Sequence, residues 1–376
     1  MFAIGLMSGT SLDGVTASLV KIERGKFKLI NCITYPYTTQ FKNKIFRCLN
    51  KETAKLDEIS TLNFEICYWF VKAIDKVLEN TNLSYEEIKF VASHGQTIWH
   101  DPSGSPASTL QIGEASVIAY QTGITVVSNF RSMDVSGGGE GAPLIPFSEY
   151  YLYRSKTKNL VFQNIGGISN LTFIKKNAKL DDVIAFDTGV GNIMIDFFTK
   201  RYFHKEYDKN GAIAYSGKMI DELFNYLKED EFIYRTPPKS TGRERYSLSF
   251  MEELIKKFDL DNYPNKEDII RTISEFTAFN IAYNYKTFIK DIDLVIVSGG
   301  GSHNKYLMDR IEFLSGFKTI TGDDFGINAD SKESFGFAVM GYMTLKGKPS
   351  NVRSVTGAKE DLILGDITIG RNDYKF

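Results

Sequence analysis

The run Ile184 to Asn192, IAFDTGVGN, climbs through apolar residues to a single carboxylate, Asp187, and then breaks into small, flexible residues. A carboxylate at the end of a buried strand has two kinds of use. It can cap a helix, because Asp, Thr and Asn accept the backbone N–H groups that open one. It can also serve as a general base or a metal ligand, roles that need the group held beside what it acts on. This run alone leaves both readings open.

A second polar run, Ser8-Gly9-Thr10-Ser11-Leu12-Asp13-Gly14, lies between two β-like segments. Gly9 and Gly14 have P-loop spacing, but Val15 and Thr16 stand where that motif needs Lys and Ser or Thr. The chain also continues as strand, not helix, so the P-loop reading fails. What survives is a hairpin turn that lets backbone N–H groups approach an anion. Ser8, Thr10 and Ser11 add hydroxyl donors, and Asp13 could hold a water on a magnesium ion. A plain hairpin needs fewer residues, which favours phosphate.

Gly299-Gly300-Gly301, in IVSGGGSHN, follow a strand and open a helix. Glycine costs roughly 1 kcal/mol in an ordered element, so something requires the missing side chains: a flat ligand such as a nucleotide, or a tight turn. Gly166 and Gly167, in NIGGISN, form another such turn.

The elements around these runs alternate. Phe2–Met7, Val15–Ile22 and Phe27–Thr34 read as strands, and a helix follows with Leu62, Ile66, Trp69, Phe70, Ile74 and Val77 on one core-facing stripe. IKFVASHGQT is a strand ending in a polar loop. From residue 159 the opening pattern returns: LVFQNIGG, ISNLTFIKK and DDVIAFDTG as strands, then NIMIDFFTKRYF as a helix. A helix from about Lys266 to Lys290 precedes the strand Leu294–Val297, and FGFAVMGYMTL is a late apolar helix. Two halves that each open on a β-meander with a polar Gly turn suggest a duplication. The alternation predicts α/β architecture, with a mainly parallel sheet plus antiparallel hairpins in each half.

At 376 residues the chain is long enough for two domains, and 45 basic against 46 acidic side chains give no electrostatic case for nucleic acid or an anionic membrane. Three cysteines, Cys32, Cys48 and Cys67, form no CxxC pair and leave one over, which fits a reducing cytoplasm. The N-terminus lacks the basic region of a secretory signal, and no apolar run approaches the ~18 residues of a membrane span. The expectation is a soluble cytoplasmic protein.

The order of two hairpin turns, a strand ending in Asp, and strand–GGG–helix is that of the phosphate and adenosine loops in the actin, sugar-kinase and heat-shock chaperone superfamily. The runs GLMSGTSLDGV, SHGQT, LQIGEAS, NFRSMDVSGGGEGAPLIPF, NIGGISNLT, FDTGVGN, PPKSTGRE, SGGGSHN and SVTGA are closer still. Together, from Gly5 to Ala358, they resemble the anhydro-N-acetylmuramic acid kinase family.

The resemblance implies a two-domain actin/sugar-kinase/chaperone-type ATPase fold, with duplicated ribonuclease-H-like domains around an interdomain cleft. Residues 1–130 plus about 336–376 would form the first domain and about 131–335 the second. It further implies an ATP- and Mg2+-dependent enzyme of cell-wall recycling.

 On it, Gly9, Thr10, Ser11, Leu12, Asp13, Gly14, Val15 and Thr16 hold the ATP phosphates, with Gly166, Gly167, Gly189, Gly299, Gly300, Gly301 and Asn304 completing the nucleotide site. Asp187 is the catalytic base, Glu333 in ADSKESFGFA assists near the sugar, and Thr97, Arg131 and Asp134 line the substrate site. Asp134 could equally be the salt-bridge partner of Arg131. The substrate would be 1,6-anhydro-N-acetylmuramic acid, the metal contact Asp13 through water, and the assembly a homodimer.

Four positions depart from the family pattern: Thr16 for Asp, Val190 for Pro, Glu140 for Gln and Ala329 for Pro. Two rival readings are weaker. A metal hydrolase of the superfamily would need a histidine pattern that His94, His100, His204 and His303 do not form. A chaperone-like module would need a peptide-binding segment beyond the two domains.

Overall fold

The computed structural model describes residues 1–9, 11–242 and 244–373, so Thr10, one of the expected phosphate donors, lies outside the described residues. The chain divides into two compact units, Met1–Tyr153 with Asp330–Phe376, and Arg154–Ala329. Residues 131–153 and 330–335, which the sequence reading gives to the second domain, thus belong to the first. The reason is packing: Lys332 pairs with Glu149 at 2.6 Å, and Tyr151 sets its ring edge-on to Phe27.

Unit 1 is built on β1 (Phe2–Ser8), β2 (Gly14–Glu23), β3 (Lys26–Pro36), β4 (Ile88–Asp101), β5 (Ser108–Ile112), β6 (Val126–Ser128) and a late strand, Asp366–Thr368. β1, β2 and β3 form an antiparallel meander; β4 runs parallel to β1 and β6 parallel to β4. Ile4 and Leu6 face a core shared with Ile66, Phe70, Ile74 and Val77 of the helix Leu56–Leu78. Each such fully buried side chain contributes about 1.5–3 kcal/mol. Gly5 points to the opposite face, where a Cβ would stand 1.8 Å from the Ser334 carbonyl oxygen. The helix Lys332–Leu345 therefore lies directly on β1, and Ser18 and Ser334 join their hydroxyls at 2.6 Å beside it.

Unit 2 repeats this plan. β7 (Leu160–Ile165), β8 (Ile168–Ile174) and β9 (Ile184–Val190) form the meander, with β10 (Leu294–Ser298) parallel to β7 and β11 (Thr319–Thr321) parallel to β10. Strand order and strand senses match β1, β2, β3, β4 and β6 one for one, as a duplication requires. Both sheets are mixed, not mainly parallel, because each meander turns back through a tight hairpin. The helix Lys266–Phe288 buries Ile269, Ile273, Phe276 and Ile281 in the core of this unit. β9 is the last strand of its sheet.

Candidate functional site

Asp187 is half-buried on β9, and its carboxylate is held by the segment that follows cis-Pro238. Thr241 donates its amide to Asp187 Oδ2 at 2.8 Å and Ser240 its hydroxyl to the same oxygen at 3.1 Å. The Asp187 amide in turn donates to the Lys239 carbonyl at 3.1 Å. The next helix, Ile193–Phe203, takes Asn192 as its N-cap residue, so Asp187 does not occupy the cap position. Among the described residues, no cluster of three or more His, Cys, Asp or Glu could hold a metal ion. Ser240 and Thr241 carry no role in the sequence reading, although the PPKSTGRE run that contains them is a family signal.

Three loops of unit 2 close on one another. The amides of Gly191 and Asn192 donate to the carbonyls of Gly167 and Gly166 at 2.9 and 2.8 Å, and Asn192 Nδ2 donates to the Ile165 carbonyl at 3.2 Å. A Cβ on Gly301 would meet Ile165 Cγ2 at 2.3 Å, which brings the triple-glycine turn against the same place. Gly189 and Gly299 have φ of 127° and 80°, a region that favours glycine. Asn304 is occupied locally: its Oδ1 accepts the Leu307 amide at 3.1 Å and caps the helix Lys305–Ser315.

The glycines of these turns separate into two kinds. Gly14, Gly191 and Gly301 are demanded by the protein, since a Cβ at each would come within 2.3 Å of a neighbour. Gly9, Gly166, Gly167 and Gly300 are not: a Cβ at any of them meets nothing closer than 3.6 Å. Bare backbone that the fold does not need suits the close approach of a ligand. Gly9→Ala and Gly300→Ala should therefore stabilise the free protein slightly, by about 0.4–1 kcal/mol. Both should shrink the rise in unfolding temperature that Mg-ATP produces. Thermal unfolding with and without nucleotide checks both expectations.

In the first hairpin, the Leu12 and Val15 side chains are fully buried, so only their backbone can serve an anion. Ser8 donates to Gln96 Oε1 at 2.6 Å and meets the Tyr37 hydroxyl at 2.8 Å, which fixes the end of β1. Asp13 is exposed, with Lys42 Nζ 4.0 Å from its Oδ1. Thr16 pairs its hydroxyl with Thr34 across β2 and β3 at 2.9 Å.

Arg131 opens toward a different partner from the one the sequence suggests. Its Nε donates to His94 Nε2 at 3.0 Å, while His94 Nδ1 lies 3.0 Å from the Gly95 carbonyl and donates to it. Burial, with Arg131 second, pushes the His94 ring down to about 3, which keeps it neutral and able to accept. Burial also lowers the Arg131 guanidinium to about 10, opposed by Glu333. Asp134 is fully buried and forms no ion pair with Arg131. Its Oδ2 accepts the Gly141 amide at 2.8 Å and its Oδ1 the Thr356 hydroxyl at 2.9 Å, so it ties the glycine-rich loop to the SVTG turn. Thr97 accepts from Gln111 Nε2 at 3.4 Å across β4 and β5.

Glu333 stands in the first turn of the helix Lys332–Leu345. Loss of hydration among the surrounding groups pushes its carboxyl up, Lys332 and Arg131 oppose the rise, and Glu149 adds to it. Its side chain keeps exposed surface, so it is crowded without being sealed from water.

Residues 1–370 match the family model described as anhydro-N-acetylmuramic acid kinase. The anhydro-N-acetylmuramic acid kinase of Clostridioides difficile (strain 630) is 45% identical over 379 residues, covering 98% of both chains. That of Bacillus thuringiensis subsp. konkukian (strain 97-27) is 43% identical over 383 residues, 98% of this chain and 99% of the other. Among solved structures, the activator of the 2-hydroxyisocaproyl-CoA dehydratase from Clostridium difficile with bound ADPNP aligns at TM-score 0.48 and 13% identity. That alignment covers 92% of this chain and 96% of the other.

Proposed function

Because the chain belongs to the anhydro-N-acetylmuramic acid kinase family, we propose that it couples hydrolytic opening of 1,6-anhydro-N-acetylmuramic acid to phosphorylation at O6 by ATP. The observation that carries this reading is the Asp187 carboxylate, aimed by the Thr241 amide and the Ser240 hydroxyl. Asp187 takes a proton from a water as the water oxygen bonds to C1. The C1–O6 bond breaks, its electron pair stays on O6, and O6 attacks the γ-phosphorus. The bond from that phosphorus to the β,γ-bridging oxygen breaks and ADP leaves. The product is N-acetylmuramic acid 6-phosphate.

The protein's part in phosphoryl transfer is positioning and charge neutralisation. The ligand-open glycines Gly9, Gly166, Gly167 and Gly300 suit the phosphates, and Arg131 and Glu333, with Thr97, suit the sugar. Magnesium typically keeps several waters and needs only one or two carboxylates besides phosphate. The exposed Asp13 fits that demand through water, and the ion would supply charge neutralisation on the phosphates. In this reading the enzyme is a cytoplasmic homodimer serving peptidoglycan recycling and amino sugar catabolism. No helix among the described residues is long and apolar enough to cross a membrane.

Mass spectrometry of the sugar after turnover in ¹⁸O-water tests the coupling. The expected product gains one phosphoryl group and one labelled oxygen. Phosphorylation without label would remove the ring-opening step, and an untouched sugar would overturn the reading.

A further inference from the structure

Lys239 is 8% exposed, and no carboxylate lies within ion-pair distance of its ammonium among the described residues. Its Nζ instead donates to the carbonyls of Ile233 and Phe232 at 2.8 and 3.2 Å. Around it stand the rings of Phe232 and Phe288, each with its centroid 5.0 Å away, and Phe186 at 5.8 Å. Burying a lysine is costly without a paired charge, and an apolar side chain would fill an aromatic cage at less cost. The fold alone does not explain this ammonium.

Its neighbours in sequence supply the reason. Lys239 gives its carbonyl to the Asp187 amide, and the next two residues give Asp187 Oδ2 its hydroxyl and amide donors. Phe186, whose ring faces the ammonium, is the residue before Asp187 on β9. The ammonium therefore grips both the donor segment and the strand that carries the acceptor. We propose that Lys239 is a positioning residue that fixes the Asp187 carboxylate by pinning the 239–241 segment to the 232–233 carbonyls. The proposal rests on the reading of Asp187 as the base.

Burial lowers the Lys239 ammonium to about 8; Asp230 and Asp187 oppose the shift and Arg235 adds to it. Deprotonation leaves the amine a weaker donor to two carbonyls and removes its attraction to the rings. The clamp should loosen as pH rises through that value.

The test compares Lys239→Met, Lys239→Arg and Asp187→Asn with the wild type, reading kcat, KM and pH profiles on folded protein. Displacement of a reacting group by about 1 Å can cost 10²-fold. Lys239→Met should accordingly lower kcat by about tenfold to hundredfold, with KM for Mg-ATP little changed. Wild-type kcat should fall as pH rises through about 8. Lys239→Arg, charged throughout, should keep more of kcat and lack that alkaline limb. If Lys239→Met does not fold, the wild-type and Lys239→Arg profiles decide. Lys239→Met with wild-type kcat, or a lower unfolding temperature at unchanged kcat, would overturn the proposal while an inactive Asp187→Asn left the base in place. An active Asp187→Asn would overturn the base, and the proposal with it.

Discussion

Asp187→Asn should lower turnover by about 10²–10⁴-fold or more, because a general base contributes that much and both bond changes at the sugar depend on it. Asparagine preserves the shape of the side chain, and its carbonyl oxygen can still accept from Thr241 and Ser240, which reach one oxygen at 2.8 and 3.1 Å. What it loses is the ability to take the proton. ATP binding should stay nearly intact, since the glycine turns suited to phosphate present backbone groups that the substitution leaves in place. Titration calorimetry with Mg-ATP and single-turnover kinetics with the anhydro sugar separate the two effects. Near-normal turnover would reduce the carboxylate to an anchor for the segment after cis-Pro238.

Gly5→Ala should be the most damaging small change in unit 1. The new Cβ would lie 1.8 Å from the Ser334 carbonyl oxygen, 2.8 Å from its carbon and 3.1 Å from the Ala338 amide nitrogen. All three are backbone atoms, so no side chain can rotate away and the helix Lys332–Leu345 must lift off β1. That movement breaks the 2.6 Å bond between Ser18 and Ser334 and opens the contact of Gly341 with Ala92. Overpacking usually costs 1–3 kcal/mol and occasionally more; this geometry argues for about 3 kcal/mol or above. Because Glu333 rides on the first turn of the same helix, KM for the sugar should rise more than KM for ATP. Thermal unfolding and steady-state kinetics check both, and an unchanged unfolding temperature would refute the packing argument.

The strands and their turns were readable because each meander is a run of branched apolar residues broken by polar glycine turns. Asp187 stood out for a related reason: a lone carboxylate after Ile184, Ala185 and Phe186 is unusual at that place. Partners distant along the chain were hidden. Arg131 and Asp134 are neighbours in sequence, which invites an ion pair, yet Arg131 donates to His94, 37 residues earlier, and Asp134 bonds Thr356, 222 residues later. The division at 153 depends on Glu149 meeting Lys332, a contact that no local pattern announces. Lys239 was equally hidden, since a lysine in PPKSTGRE reads as a solvated loop charge until its cage of phenylalanines is seen.

The position of β9 at the margin of its sheet carries a consequence of another kind. A strand with free outward amides is a template for adding a foreign strand, and natural proteins cover or blunt such margins. Here the Asp187 amide is taken by the Lys239 carbonyl at 3.1 Å. The segment that aims the carboxylate thus also occupies part of that margin, so losing it should bare a strand edge as well as release the carboxylate.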